Sequence, residues 1–167
     1  MATIIKGRTP CAICGDTNLS RPFTATSGVA FPPGHDLYPY CDAPLHLDCL
    51  ATWPDRERFS RGYFDMWRRT SRGPVLLADG PGWMLLCGPA RPESTPYYVE
   101  VRLVDWPIVL KSRWENWPDY MTGAFREGLT GDPLKAADTV MQQARVIATD
   151  AESLVQLRRQ ALTRSTT

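Results

Sequence analysis

The sequence predicts an α+β fold, and three observations carry that reading. Cysteine and histidine pairs crowd the first third of the chain, an alternating apolar and polar run occupies the middle, and apolar residues at helical spacing fill the end. The expected order is a small metal-stapled module with a helix over 1–70, an antiparallel β-rich region over 71–130, and C-terminal helices over 131–167.

The first observation is the most specific. Four of the five cysteines and one of the two histidines lie between Cys11 and Cys49. Cys11 and Cys14 have the Cys-x2-Cys spacing that lets two thiolates of one turn reach one ion, and Gly15 suits that turn because such turns often need positive φ. His46 and Cys49 form an i,i+3 pair on the first turn of a helix. Together they make a Cys3His set, the donor chemistry of a closed structural zinc site holding one Zn2+ ion. Three other readings compete: a redox Cys-x2-Cys, buried core cysteines, and disulfides. The redox motif needs a strand before it and a helix opening on it, whereas Gly15 to Asn18 reads as a turn. An odd cysteine count and the lack of a signal-peptide pattern argue for a reducing, cytoplasmic compartment. Cys41 stands outside the helical turn that presents His46 and Cys49, and is expected to pack near a strand end rather than to bind the metal.

The remaining elements follow in order. Thr3 to Ile5 suggest a short strand. A turn-rich stretch from Phe23 to Tyr40 suggests a hairpin with Phe23, Val29 and Phe31 as core candidates, and His35 reads as a solvated loop histidine. A helix starts near Leu45 with Asp48 in its first turn, until Pro54 interrupts it. Phe59, Tyr63 and Met66-Trp67 then form the stripe of an amphipathic helix whose arginines read as a solvated face. Residues 70–74 read as a boundary. Val75 to Ala78 and Trp83 to Cys87 are strands around Asp79-Gly-Pro-Gly82, with Cys87 a core cysteine, and Gly88-Pro89 and Pro92 form the next break. From Tyr97 to Val104 the alternation marks a half-buried strand, and Ile108 to Leu110 extend the sheet. Lys111 to Tyr120 reads as a short helical or turn segment. A long helix starts near Pro133 with Asp132 as N-cap and a stripe of Leu134, Ala137, Val140, Met141, Ala144 and Ile147. A last helix, capped by Thr149 or Asp150, runs through Leu154, Leu157 and Leu162, with 163–167 fraying.

Composition excludes several function classes. The net charge is +1 over 167 residues, and no basic stripe of the kind nucleic-acid binding uses is visible. No apolar run approaches the ~20 residues of a membrane span. Neither a Ser-His-Asp set nor a phosphate loop is found, and with His46 spent on the metal only His35 remains for nuclease-type chemistry.

Cys-x-Ile-Cys followed by Cys-x4-His-x2-Cys-Leu-x2-Trp resembles the first three-quarters of a RING finger with histidine as fifth ligand. More broadly, it resembles a treble-clef zinc finger. The resemblance covers 11–54 only. It implies that Cys11, Cys14, His46 and Cys49 share one zinc, and that Ile13 and Trp53 touch a ubiquitin-conjugating-type enzyme. Ala43 stands where the fourth ligand would be and the closing Cys-Pro-x-Cys is absent, so a second zinc is not expected. Two functions follow: a RING-like adaptor that promotes ubiquitin-like transfer without a covalent intermediate, or a non-catalytic zinc-stabilised module that binds a protein partner.

Overall fold

The computed structural model describes residues 3–5, 7–18, 20–69, 74–88 and 97–164. The expected boundary at 70–74, the break at 88–92 and the frayed end at 163–167 fall wholly or partly outside them. Among the described residues the protein is mixed helix and sheet, with five α-helices and two antiparallel sheets, as the patterning predicts.

The first sheet pairs β1 (Phe23–Ala25) with β2 (Pro44–His46), Phe23 opposite His46. Thr3 to Ile5 form no strand. Nor does β1 pair with the 29–31 stretch as a local hairpin. Gly28 takes φ +81°, and Pro32 and Pro33 have no N–H to give a ladder, so the partner strand comes from beyond the whole loop. Phe23 and Val29 are therefore exposed, at 38% and 57%. Phe31 is half-buried, its ring 5.7 Å from that of Phe59 and 4.8 Å from that of His35. His35 organises the loop, its Nδ1 accepting the Leu37 N–H at 3.0 Å.

Helix α1 (Leu47–Thr52) follows β2 directly and stops at Trp53, before Pro54. Helix α2 (Arg56–Arg69) starts two residues after that proline and buries Phe59, Tyr63 and Phe64. Its solvent-facing arginines pair with acids, as a solvated face should: Arg58 with Asp36 and Asp55, and Arg61 with Asp105.

The second sheet is a meander of β3 (Val75–Gly80), β4 (Trp83–Gly88), β5 (Tyr98–Leu103) and β6 (Ile108–Arg113). Residues directly opposite each other share a face. One face carries the rows Trp83–Leu103–Ile108 and Leu85–Val101–Leu110 together with Cys87–Val99. Three helices cover that face: α3 (Trp117–Thr122) beside β6, α4 (Gly131–Ile147) against β5, and α5 (Ala151–Arg164) along β3. The Trp83 indole N–H donates to Gln143 Oε1 of α4 at 2.6 Å. The opposite face carries Met84–Arg102–Val109 and Leu86–Glu100–Lys111, and α2 crosses it. The expected half-buried β5 is thus covered on both sides, with Glu100 at 5% and Arg102 at 6% exposure.

Three further differences have local causes. Lys111 to Arg113 complete β6 rather than a helical segment, because they pair with Glu100 to Tyr98. Asp132 lies in the first turn of α4, and Thr130 is its N-cap. Ile147 is 36% exposed because the buried row continues from Ala144 to Ala148. Helix α5 is capped as expected: Ser153 N–H donates to Asp150 Oδ1 at 2.8 Å and Asp150 N–H to Ser153 Oγ at 3.2 Å, a reciprocal pair. One apolar cluster runs from Leu37 in the loop before β2 to Leu154 in α5 and includes Leu45, Leu50, Phe59, Leu85, Trp117 and Met141. The cysteine region and the sheet are therefore packed on a common core. Among the described residues no helix is long and apolar enough to cross a membrane.

Candidate metal centre

Cys11 and Cys14 sit on a tight turn closed from both ends. Gly15 N–H donates to Cys11 O at 2.8 Å, and Cys11 N–H donates to Asp16 O at 2.8 Å. Gly15 adopts φ +76°, a conformation that strains any residue with a Cβ, which explains a glycine directly after the second cysteine. The turn is tied to β2 by Ala12 N–H to Pro44 O at 3.1 Å and by His46 N–H to Cys11 Sγ at 3.3 Å.

The junction of β2 and α1 delivers the other two donors. His46 ends the strand and is the N-cap of α1, with extended backbone (φ −62°, ψ 140°) and no side-chain capping bond. Its ring turns instead toward the sulfurs. Cys49 is in the first turn of α1, so the i,i+3 pair spans a strand end and a helix start rather than lying wholly on the helix.

The four donor atoms of Cys11, Cys14, His46 and Cys49 all lie within 4.8 Å of one another, close enough to hold one metal ion. His46 Nδ1 is 3.5 Å from Cys14 Sγ and 3.9 Å from Cys49 Sγ. Zinc bonds of about 2.3 Å to sulfur and 2.0–2.1 Å to nitrogen imply donor–donor edges of roughly 3.5–3.8 Å in a tetrahedron. The edge to Cys14 fits that shape, and the edge to Cys49 is longer than it. Nδ1 is the nitrogen turned to the sulfurs, while Nε2 is buried with no hydrogen-bond partner among the described residues.

The thiols differ in electrostatics. Cys14 is pulled down to about 6, first by the Asp16 backbone N–H, against desolvation, and further by His46 and the other two thiols. Cys49 is pushed up to about 12, chiefly by burial, then by its hydrogen bond with Cys14 and by the negative charge of its neighbours. Cys14 is thus exposed and ready to ionise, and Cys49 holds its proton.

Sequence reasoning missed Arg21. It donates to Asp16 at 3.2 Å and to Asp48, and its Nη2 lies 3.7 Å from Cys49 Sγ. The guanidinium therefore bridges the cysteine turn and α1 beside a donor sulfur. No sequence spacing marks it, because Arg21 is separated from Asp48 and Cys49 by the whole inserted loop. Cys41 is outside the cluster; its thiol lies 3.9 Å from Leu37 O.

The two residues expected at a partner surface are both half-buried. Ile13 packs against the common core. Trp53 ends α1, with its ring centroid 4.3 Å from that of Tyr40 and 5.6 Å from that of Phe59. No protein-family model matches the chain, and no curated protein or solved structure matches it either.

Proposed function

We propose that Cys11, Cys14, His46 and Cys49 hold one structural Zn2+ ion in a treble-clef-like module whose role is non-catalytic protein interaction. The convergence of four donors within 4.8 Å carries this reading. Four protein donors fill a tetrahedral shell and leave no position for water or substrate, the arrangement of structural rather than catalytic zinc. Three thiolates, a neutral imidazole and Zn2+ sum to a net charge of about −1, which Arg21 beside Cys49 would offset. A RING-like ligase would present Ile13 and Trp53 as an apolar pair to a ubiquitin-conjugating-type enzyme. The contacts of Trp53 with Tyr40 and Phe59 favour a scaffold role for that ring, and with it the interaction module.

Elemental analysis of the purified protein tests the metal assignment. One zinc per chain is expected in the parent and in Cys41→Ser, and a large loss in Cys49→Ser. Retention in Cys49→Ser with loss in Cys41→Ser would show that the shell is wrongly assigned.

A further inference from the structure

The β5 face that alternation assigns to solvent is roofed by α2, and the roof does not close on it. A cavity of about 360 Å³ lies between them, within the range of small-molecule sites. Its floor is Tyr98, Glu100 and Arg102 of β5 with Val109 and Lys111 of β6, and Tyr63, Phe64 and Trp67 of α2 form the opposite wall. Tyr98 is held at the edge by its cross-strand neighbour Gly88, where an added Cβ would fall 2.1 Å from the phenol ring.

The polar groups in this cavity are built in rather than scattered. Arg102 Nε donates to Glu100 Oε1 at 2.8 Å and Nη2 donates to the same oxygen, while Nη1 makes no hydrogen bond among the described residues. Lys111 Nζ sits 3.8 Å from the Tyr98 ring centroid and 4.0 Å from Glu100 Oε2. Tyr63 Oη accepts the Ser27 N–H at 3.0 Å and keeps its own proton to donate. A buried ion pair generally adds little stability over an apolar pair of the same volume. Glu100–Arg102 is therefore poorly explained by stability alone. The Glu100 carboxylate is already engaged by two cations, so the donors left over belong to Arg102, Lys111 and Tyr63. Two cations and one carboxylate give the lining a net charge of one positive unit, and the walls are aromatic.

We infer that this cavity binds a small planar aromatic carboxylate, its single negative charge meeting Arg102 and Lys111 and its ring lying among Tyr63, Phe64, Trp67 and Tyr98. The aromatic walls select a flat body. Glu100 in the same floor disfavours a doubly charged phosphate. None of the four metal-donor residues lines this cavity.

Calorimetric titration of the full chain with 2-naphthoate, and with 2-naphthamide as a neutral analogue of the same shape, tests the assignment. Saturable one-to-one binding of the naphthoate is expected, with the naphthamide about tenfold weaker or more, the scale of a charge-assisted contact. Lys111→Met, at an exposed position on β6, should weaken naphthoate about tenfold and leave naphthamide unchanged. Trp67→Leu should weaken both. Equal affinity for the two probes, indifference of naphthoate binding to Lys111→Met, or no saturable naphthoate binding would each overturn the inference. Zinc content measured on the same samples keeps a failure here distinct from a failure of the metal assignment.

Discussion

β1 and β2 are three residues long, and α1 is six, whereas each strand of the second sheet is six residues long and β4 is buried throughout. The region around the cysteines has little regular structure of its own, although Leu37, Leu45 and Leu50 join the common core. Short elements give few backbone bonds per turn of chain fixed, and a two-stranded sheet of this size is marginal by itself. The sheet region has the opposite character: continuous apolar rows, helices on one face and α2 on the other. The proposed metal assignment turns that difference into a contrast: four donor atoms would supply much of the order in the first region, and side-chain volume supplies it in the second.

Chelation is the largest test of that contrast. Zinc binding in model fingers is worth on the order of 10–16 kcal/mol. Stripping the metal should abolish amide-exchange protection over 44–52 while β4 and β5 remain protected. Equal loss in both regions would mean that the shared core makes them one cooperative unit. The converse experiment strikes the sheet. Leu85 is fully buried, and Leu85→Ala should cost about 2–5 kcal/mol in denaturant melts with zinc content unchanged. A loss of zinc in that variant would break the contrast from the other side.

A smaller effect comes from pH. Cys49, raised to about 12, carries a proton at neutral pH that zinc must displace, whereas Cys14, lowered to about 6, is already mostly thiolate there. Apparent zinc affinity should therefore rise with pH. Below about pH 6 Cys14 also binds a proton in the metal-free protein, so the dependence should steepen by roughly a further tenfold per pH unit. Competition titrations against a chelator across this range check it; a slope that does not change near pH 6 would remove Cys14 from the early-ionising role.

The long-period features of the chain were legible from residue order alone. Cys-x2-Cys and His-x2-Cys spacings identify the cluster because each pair is local, and the stripe of α2 or the alternation of β5 reports a repeating environment. What the order of residues does not contain is which face meets which. Glu100 and Arg102 alternate with valines as solvent-facing residues would, yet α2 covers them, a tertiary fact that no period encodes. Phe23, Val29 and Phe31 failed as a hairpin for a related reason: apolar type announces a strand but not its partner, and the partner here is twenty residues away, at Pro44 to His46. Arg21 was invisible because its partners are assembled only when the loop closes.

That closure has a consequence in polymer terms. Cys14 and His46 are 32 positions apart, so an ion held by both would tie off a long loop. The entropy of closing such a loop grows only logarithmically, with each doubling of length costing about 0.6 kcal/mol. The exposed turn at Pro33 and Gly34, between Phe31 and the buried Leu37, can thus take up added residues with little thermodynamic penalty, provided both anchors keep their places. With an ion bound under the proposed assignment, such a loop would free the length of the connection from the stability of the fold. New surface could then be added at this stretch at little cost in stability.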